Sequence, residues 1–344
     1  MRRNVLCVGI LALTALFSMA HAADSVEAVN PEWVAERPGA AGGATQVKIG
    51  VYLMDIDEID DVRQRFSVDM FLRVSWHDPR LAIPEGARST QYRIFPLDDI
   101  WSPKGLIVND RGLNPQLLRV ARVDALGNVV YRMRFYGELL ADMNLKEFPF
   151  DSQILPIQFV SYEYRPDELQ FVLDGDVDDW VKPFSVEGWE FKILEPEFHD
   201  FSVPAAGIAL PQFTFRVQAQ RNSQYYFLTM FLPMTLIVLM AWSVFWLQPN
   251  IIPSRIAIST ATIFSLLAFG FSIRTNLPRI SYMTRADLFV SGCMLLVFLA
   301  LAVTVIVSRW ANSERMAEAR RLNAAARWVY LGLFALVGFF TLAT

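Results

Sequence analysis

Side chains able to do catalytic chemistry are sparse in this chain. Beyond the first 22 positions the only histidines are His77 and His199, far apart and without metal-ligand spacing around either. No Gly-x-Ser-x-Gly, His-Glu-x-x-His or dinucleotide fingerprint occurs, and the carboxylates are scattered over strand-like and loop-like stretches. No metal, no cofactor and no enzymatic activity is therefore expected. What the spacing does offer is a conduit. Ala257, Ala261, Phe264, Ala268 and Phe271 step forward by four, three, four and three residues, which puts them on one stripe of a helix. Several such helices around an axis would leave a narrow path with phenylalanine collars where water is least comfortable. The alternative is an ordinary packed face in a membrane bundle, where small residues are common.

The elements that must position this stripe follow from composition. Of 344 residues, 53% are hydrophobic, more than an ordinary soluble globule carries. Most of the excess falls in four stretches, at about 225–247, 254–274, 286–308 and 325–343, each close to the roughly 20 residues that cross a bilayer as helix. Charge divides the chain in the same place. Positions 24–224 hold 20 Lys+Arg against 32 Asp+Glu, a net −12, whereas 225–344 hold 9 against 3, a net +6. An acidic outer domain argues against nucleic acid as a partner.

Arg2-Arg3, the apolar run Val5–Phe17 and Ala20-His21-Ala22 read as a signal peptide over residues 1–22. Its removal takes Cys7 and leaves Cys293 alone, so no disulfide is expected. Residues 23–45 read as a flexible lead-in; Pro38–Gly43 lacks the Gly-Lys-Ser/Thr ending of a phosphate loop. From 46 to 221 alternation predicts strands. Val68, Met70, Leu72, Val74 and Trp76 form one face, with Asp69, Phe71, Arg73, Ser75 and His77 on the other. An antiparallel β-sandwich of about ten strands is expected, followed over 222–344 by a four-helix transmembrane domain. The basic Ser308–Arg327 segment points to the cytoplasm, which leaves the sandwich outside.

The stretch Ala141–Leu155, with Phe148-Pro149-Phe150-Asp151-Ser152-Gln153 at its centre, resembles the signature loop of the Cys-loop, or pentameric ligand-gated ion channel, family. The two family cysteines fall on Ala141 and Leu155, a loss that resembles the prokaryotic branch. Further matches follow in order at Trp76-His77-Asp78-Pro79-Arg80-Leu81, Trp101-Ser102-Pro103, Ser161-Tyr162-Glu163-Tyr164, Arg221–Tyr226 and Thr275–Thr284. The resemblance implies a homopentamer in a bacterial inner membrane, with a periplasmic ectodomain, lipid around it, a small-molecule ligand or protons as activator, and inorganic ions as cargo.

The same resemblance implies roles for particular residues. Pro253, Ser254 and Arg255 would form the inner mouth of a pore, Arg274 the outer mouth, and Phe264 and Phe271 the gate. Pro-Ser-Arg is similar to an anion-channel pattern, and no carboxylate lies between Gln248 and Arg255. Tyr162 and Tyr164 would line the principal side of an agonist site, with Phe71 and Arg73 on the complementary side, where Arg73 suits a ligand carboxylate. Asp61, Val62, Phe148, Pro149, Asp151, Arg221, Pro278 and Tyr282 would couple that site to the pore. The rival expectation is a non-conducting receptor or anchored binding protein on the same scaffold.

Overall fold

The computed structural model describes residues 32–40, 42–85, 92–175, 184–203, 207–274, 281–313 and 315–342. The signal-like segment 1–22 and Pro278 lie outside them, as do the side chain of Arg274 and most of the lead-in before residue 32.

Eleven strands are found among the described residues: β1 Thr45–Asp60, β2 Arg65–His77, β3 Arg93–Pro96, β4 Gly105–Ile107, β5 Asn114–Pro115, β6 Val120–Val123, β7 Asn128–Leu140, β8 Ser152–Ser161, β9 Leu169–Leu173, β10 Trp189–Val203 and β11 Ile208–Arg221. They form two sheets. The larger runs β3-β6-β7-β2-β1-β9, with β5 also on β7, and the smaller runs β10-β11-β8-β4. β2 alternates without a break, its even positions from Phe66 to Trp76 buried and its odd positions half-exposed. A period-two apolar pattern can satisfy itself only by laying one face on a core, and here that core lies between the sheets. One pairing departs from the antiparallel expectation. After β8 the chain crosses to the other sheet and β9 lies parallel to β1, Thr45 opposite Leu169.

Four helices follow, each long and apolar enough to cross a membrane. The first, Gln224–Trp246, opens with a π-helical turn at Phe227–Phe231 just before Pro233, whose missing N–H breaks the regular ladder. The second is Ile252–Arg274, the third Arg285–Asn312 and the fourth Met316–Leu342. The third runs past the expected 308 and the fourth begins well before 325, so the basic segment is helical through Asn312 and again from Met316. The apolar core of the bundle includes Met234, Val238, Leu266, Phe289 and Leu296, and it also takes in Leu145 and Phe148 from the loop between β7 and β8. The bundle core thus reaches across the junction into the ectodomain loop, while the sandwich keeps a core of its own.

Candidate functional site

At that junction a single arginine gathers the chain together. Arg221, the last residue of β11, donates from Nε to Asp151 Oδ1 at 2.8 Å and from a terminal nitrogen to both oxygens of Asp61 at 2.9 Å. Its backbone N–H meets Asp151 O at 3.1 Å. The guanidinium also stands 4.1 Å from the centroid of Trp189 and 4.9 Å from that of Phe148, so an apolar cage surrounds the charges. Burial works against the cation, but the hydrogen bonds and charges of Asp151 and Asp61 outweigh it, and the Arg221 pKa is raised. For Asp61 the balance is opposite. Burial pushes its carboxyl pKa up, and Arg221 offsets only part of that.

The β7–β8 loop is held from both sides. Gln153 donates to Asp151 Oδ2 at 2.6 Å and to Asn144 O at 2.9 Å, while its own oxygen accepts from Asn144 N. Across the boundary, Leu145 N donates to the hydroxyl of Tyr282 at 2.9 Å, and Arg285 forms an ion pair with Glu147. The structure therefore brings Asp61, Phe148, Pro149, Asp151, Arg221 and Tyr282 to one region. Val62 is 58% exposed at the tip of the β1–β2 turn beside Asp61.

The second span carries two opposed faces. Arg255, Ser259, Thr262, Leu266, Gly270 and Ile273 are buried against the other helices, while Ala257, Ala261, Phe264, Ala268 and Phe271 are all exposed, the two rings to 67% and 70%. The stripe read from periodicity is therefore the face that the subunit leaves uncovered. Pro253 and Ser254 at the inner end are exposed as well.

Arg255 corrects the expectation of a charged inner mouth. It is 0% exposed, its guanidinium donating to Leu247 O and to Asn323 Oδ1, both at 2.9 Å, and Asn323 in turn donates to Phe245 O at 2.7 Å. A helix repeat of 3.6 residues turns position 255 onto the face of 259 and 262, away from that of 257 and 261.

The aromatic residues expected to hold a ligand divide likewise. Tyr162 is 52% exposed, but Tyr164 is buried, its hydroxyl accepting from Trp101 Nε1 at 2.8 Å in the sandwich core, which corrects its placement in a ligand site. Phe71 and Arg73 both point away from the core, as alternation requires. Arg73 is not free, however, since Asp174 lies 3.1 Å from its Nε. Around it opens a cavity of about 590 Å³, lined by Arg73, Arg122 and Arg132 and walled by Ile94, Leu117, Leu118 and Val120.

A family model for the neurotransmitter-gated ion-channel ligand binding domain matches residues 34–218, and one for the neurotransmitter-gated ion-channel transmembrane region matches residues 230–334. The chain belongs to the Cys-loop family of pentameric channels. It is accordingly a multi-pass membrane protein of a neurotransmitter-gated channel family, not of an enzyme family. Ala141 and Leu155, where the resemblance puts the two family cysteines, are 1% and 0% exposed and pack in the sandwich core.

Several residues of this channel were not legible in advance. Trp189 reaches the junction only through sheet pairing that no local pattern encodes, and Gln153, though part of the signature string, finds Asp151 and Asn144 only once the loop closes. Asn323, a lone amide among alanines in the fourth span, was a usable sign, because a polar residue within a span needs a partner. Arg122 and Arg132 sit on exposed phases of β6 and β7, but only the register brings them beside Arg73.

Proposed function

We propose that five copies of this chain form a ring in which the exposed stripe of the second span faces a central ion path, and that a ligand captured between neighbouring ectodomains opens it. The carrying observation is the division of the second span. Five small or aromatic residues at helical spacing stay uncovered while the opposite face is packed. One chain provides one such face, and a closed head-to-tail ring supplies the rest of a wall. Phe264 and Phe271 are the collars that exclude water at rest.

Agonist binds between Tyr162 of one ectodomain and the face bearing Phe71 and Arg73 of the next, and it carries an acid group. Coupling runs through Asp61, Asp151 and Arg221 to Tyr282, and through Pro278 in the outer loop. Anions are the permeant species, because the inner end from Gln248 to Ser254 has no carboxylate while Arg255 and Arg274 leave each end of the span positive. Arg255 acts in this as a fixed charge behind the pore helix, not as a lumen group. The ring stands in a bacterial inner membrane with the sandwich in the periplasm, a placement supported by the signal-like N-terminus and the arginines of the 308–327 segment. Planar-bilayer recording tests the reading: Phe264→Ser should conduct without agonist, whereas a protein that only binds ligand stays silent in both forms. A reversal potential that follows the cation gradient would refute anion selectivity.

A further inference from the structure

We propose that the basic cavity beside Arg73 takes a dianion with an apolar body, a dicarboxylate or a phosphomonoester, and that Arg132 and Arg122 supply its charge contacts. The proposal rests on the agonist-site reading above and names the ligand class of that site.

Arg73 on β2 and Arg132 on β7 are directly opposed partners in the ladder. Arg122 on β6 is opposed to Val130, two residues along β7 from Arg132. Like charges facing each other across strands are unfavourable, so a third at the diagonal position compounds the repulsion. Elsewhere on this sheet face the fold cancels its arginines: Arg65 pairs with Glu138 at 2.8 Å and Arg134 with Asp69 at 2.6 Å. At the cavity Asp174 cancels Arg73 alone. Among the described residues no carboxylate pairs with Arg122 or Arg132, which leaves two open positive charges on one wall.

The remaining walls are apolar and unusually bare. Ile94 is 63% and Leu118 81% exposed, a liability for a surface unless something covers it. A cavity of about 590 Å³ is of the size that holds a small organic ligand. An anion lodged between the two guanidiniums turns their repulsion into shared, charge-assisted hydrogen bonds, and an apolar body covers the leucine and isoleucine. A single carboxylate would leave one charge open.

Calorimetry on the purified full chain in detergent tests this with isophthalate and phenyl phosphate as dianions, benzoate as the one-charge counterpart and benzamide as the neutral one. The dianions should bind at least about tenfold tighter than benzoate. Arg132→Gln and Arg122→Gln should each bring that ratio to within about threefold, and Arg65→Gln, on the same face but outside the cavity, should leave it intact. Without ligand, Arg132→Gln should melt at a higher temperature than the native chain, because a repulsion has been removed; a merely structural arginine gives the reverse. Equal affinity for isophthalate and benzoate, no binding of any probe, or a ratio unchanged in Arg132→Gln would overturn the proposal. Arg132-dependent dianion binding that opens no current upholds the ligand class and refutes the agonist reading. Currents evoked equally by mono- and dianions do the opposite.

Discussion

Arg221 and Asp151 meet at 2.8 Å with only 5% and 1% of their side chains exposed, at the level where the sandwich rests on the helices. Neither charge can reach water if the other is removed. Arg221→Gln should cost about 3–5 kcal/mol because it strands the Asp151 carboxylate, Asp151→Asn less because Asp61 still accepts from the guanidinium, and the double substitution less than the sum. Denaturant unfolding of the full chain in detergent, followed by tryptophan fluorescence, measures both the costs and the coupling.

Asp61 should make stability depend on pH in the sense opposite to a typical salt-bridged aspartate. Its folded pKa is raised by burial, so its contribution is fully present below the unfolded value of about 3.9 and is lost as pH climbs through the raised value. Asp61→Asn is blind to that titration. The melting temperature of Asp61→Asn minus that of the native chain should therefore become more positive as pH rises from about 3.5 to 6.5. A difference that falls over this interval contradicts the assignment.

Water contact along the second span is open to direct chemistry in a Cys7→Ser background, since the other cysteine, Cys293, is fully buried. Ala257→Cys, Ala261→Cys and Ala268→Cys should react with a charged, water-soluble thiol reagent, while Leu266→Cys on the packed face should not. Protection of all three alanine positions would remove them from an aqueous wall.

Phe264→Ser should raise the agonist-free current by roughly tenfold or more, the equivalent of about 1.4 kcal/mol in favour of the wetted collar. The measurement is single-channel open probability at rest.

Asn323→Leu should weaken the protein by about 1.5–3 kcal/mol, because Arg255 loses a charge-assisted partner and no acid among the described residues pairs with it. Thermal unfolding of the detergent-purified assembly reads this. Asn323→Asp, which restores an acceptor, should recover most of the loss while reducing any anion preference.

Much of this was readable from periodicity. Strand β2 and the second span each repeat a pattern that marks out one face; in β2 this alone puts Trp76 inward, whereas the stripe with Phe264 could equally have packed in the bundle, and it is the fold that leaves it uncovered. The junction was partly readable, because the β7–β8 loop and Arg221 carry recognisable local strings. What escaped depends on register and rotation. Arg255 and Ala257 are two residues apart, yet the helix turns one into the protein and leaves the other exposed. Tyr162 and Tyr164 divide in the same way, and Arg132 joins Arg73 only because two strands 59 positions apart in sequence align at that step.

The start of the third span has a consequence for how this protein can vary. Its first free amides, on Arg285 and Ala286, donate to Lys146 O at 3.0 Å and Phe148 O at 3.2 Å in the β7–β8 loop, and the amide of Asp287 is taken by Thr284 Oγ1. The hinge between receptor and membrane is thus riveted by main-chain atoms, which every amino acid but proline provides. Ordinary substitution can erode the side chains around it and still leave the rivet in place. An ester in place of the Ala286 amide is the kind of change that would draw it out.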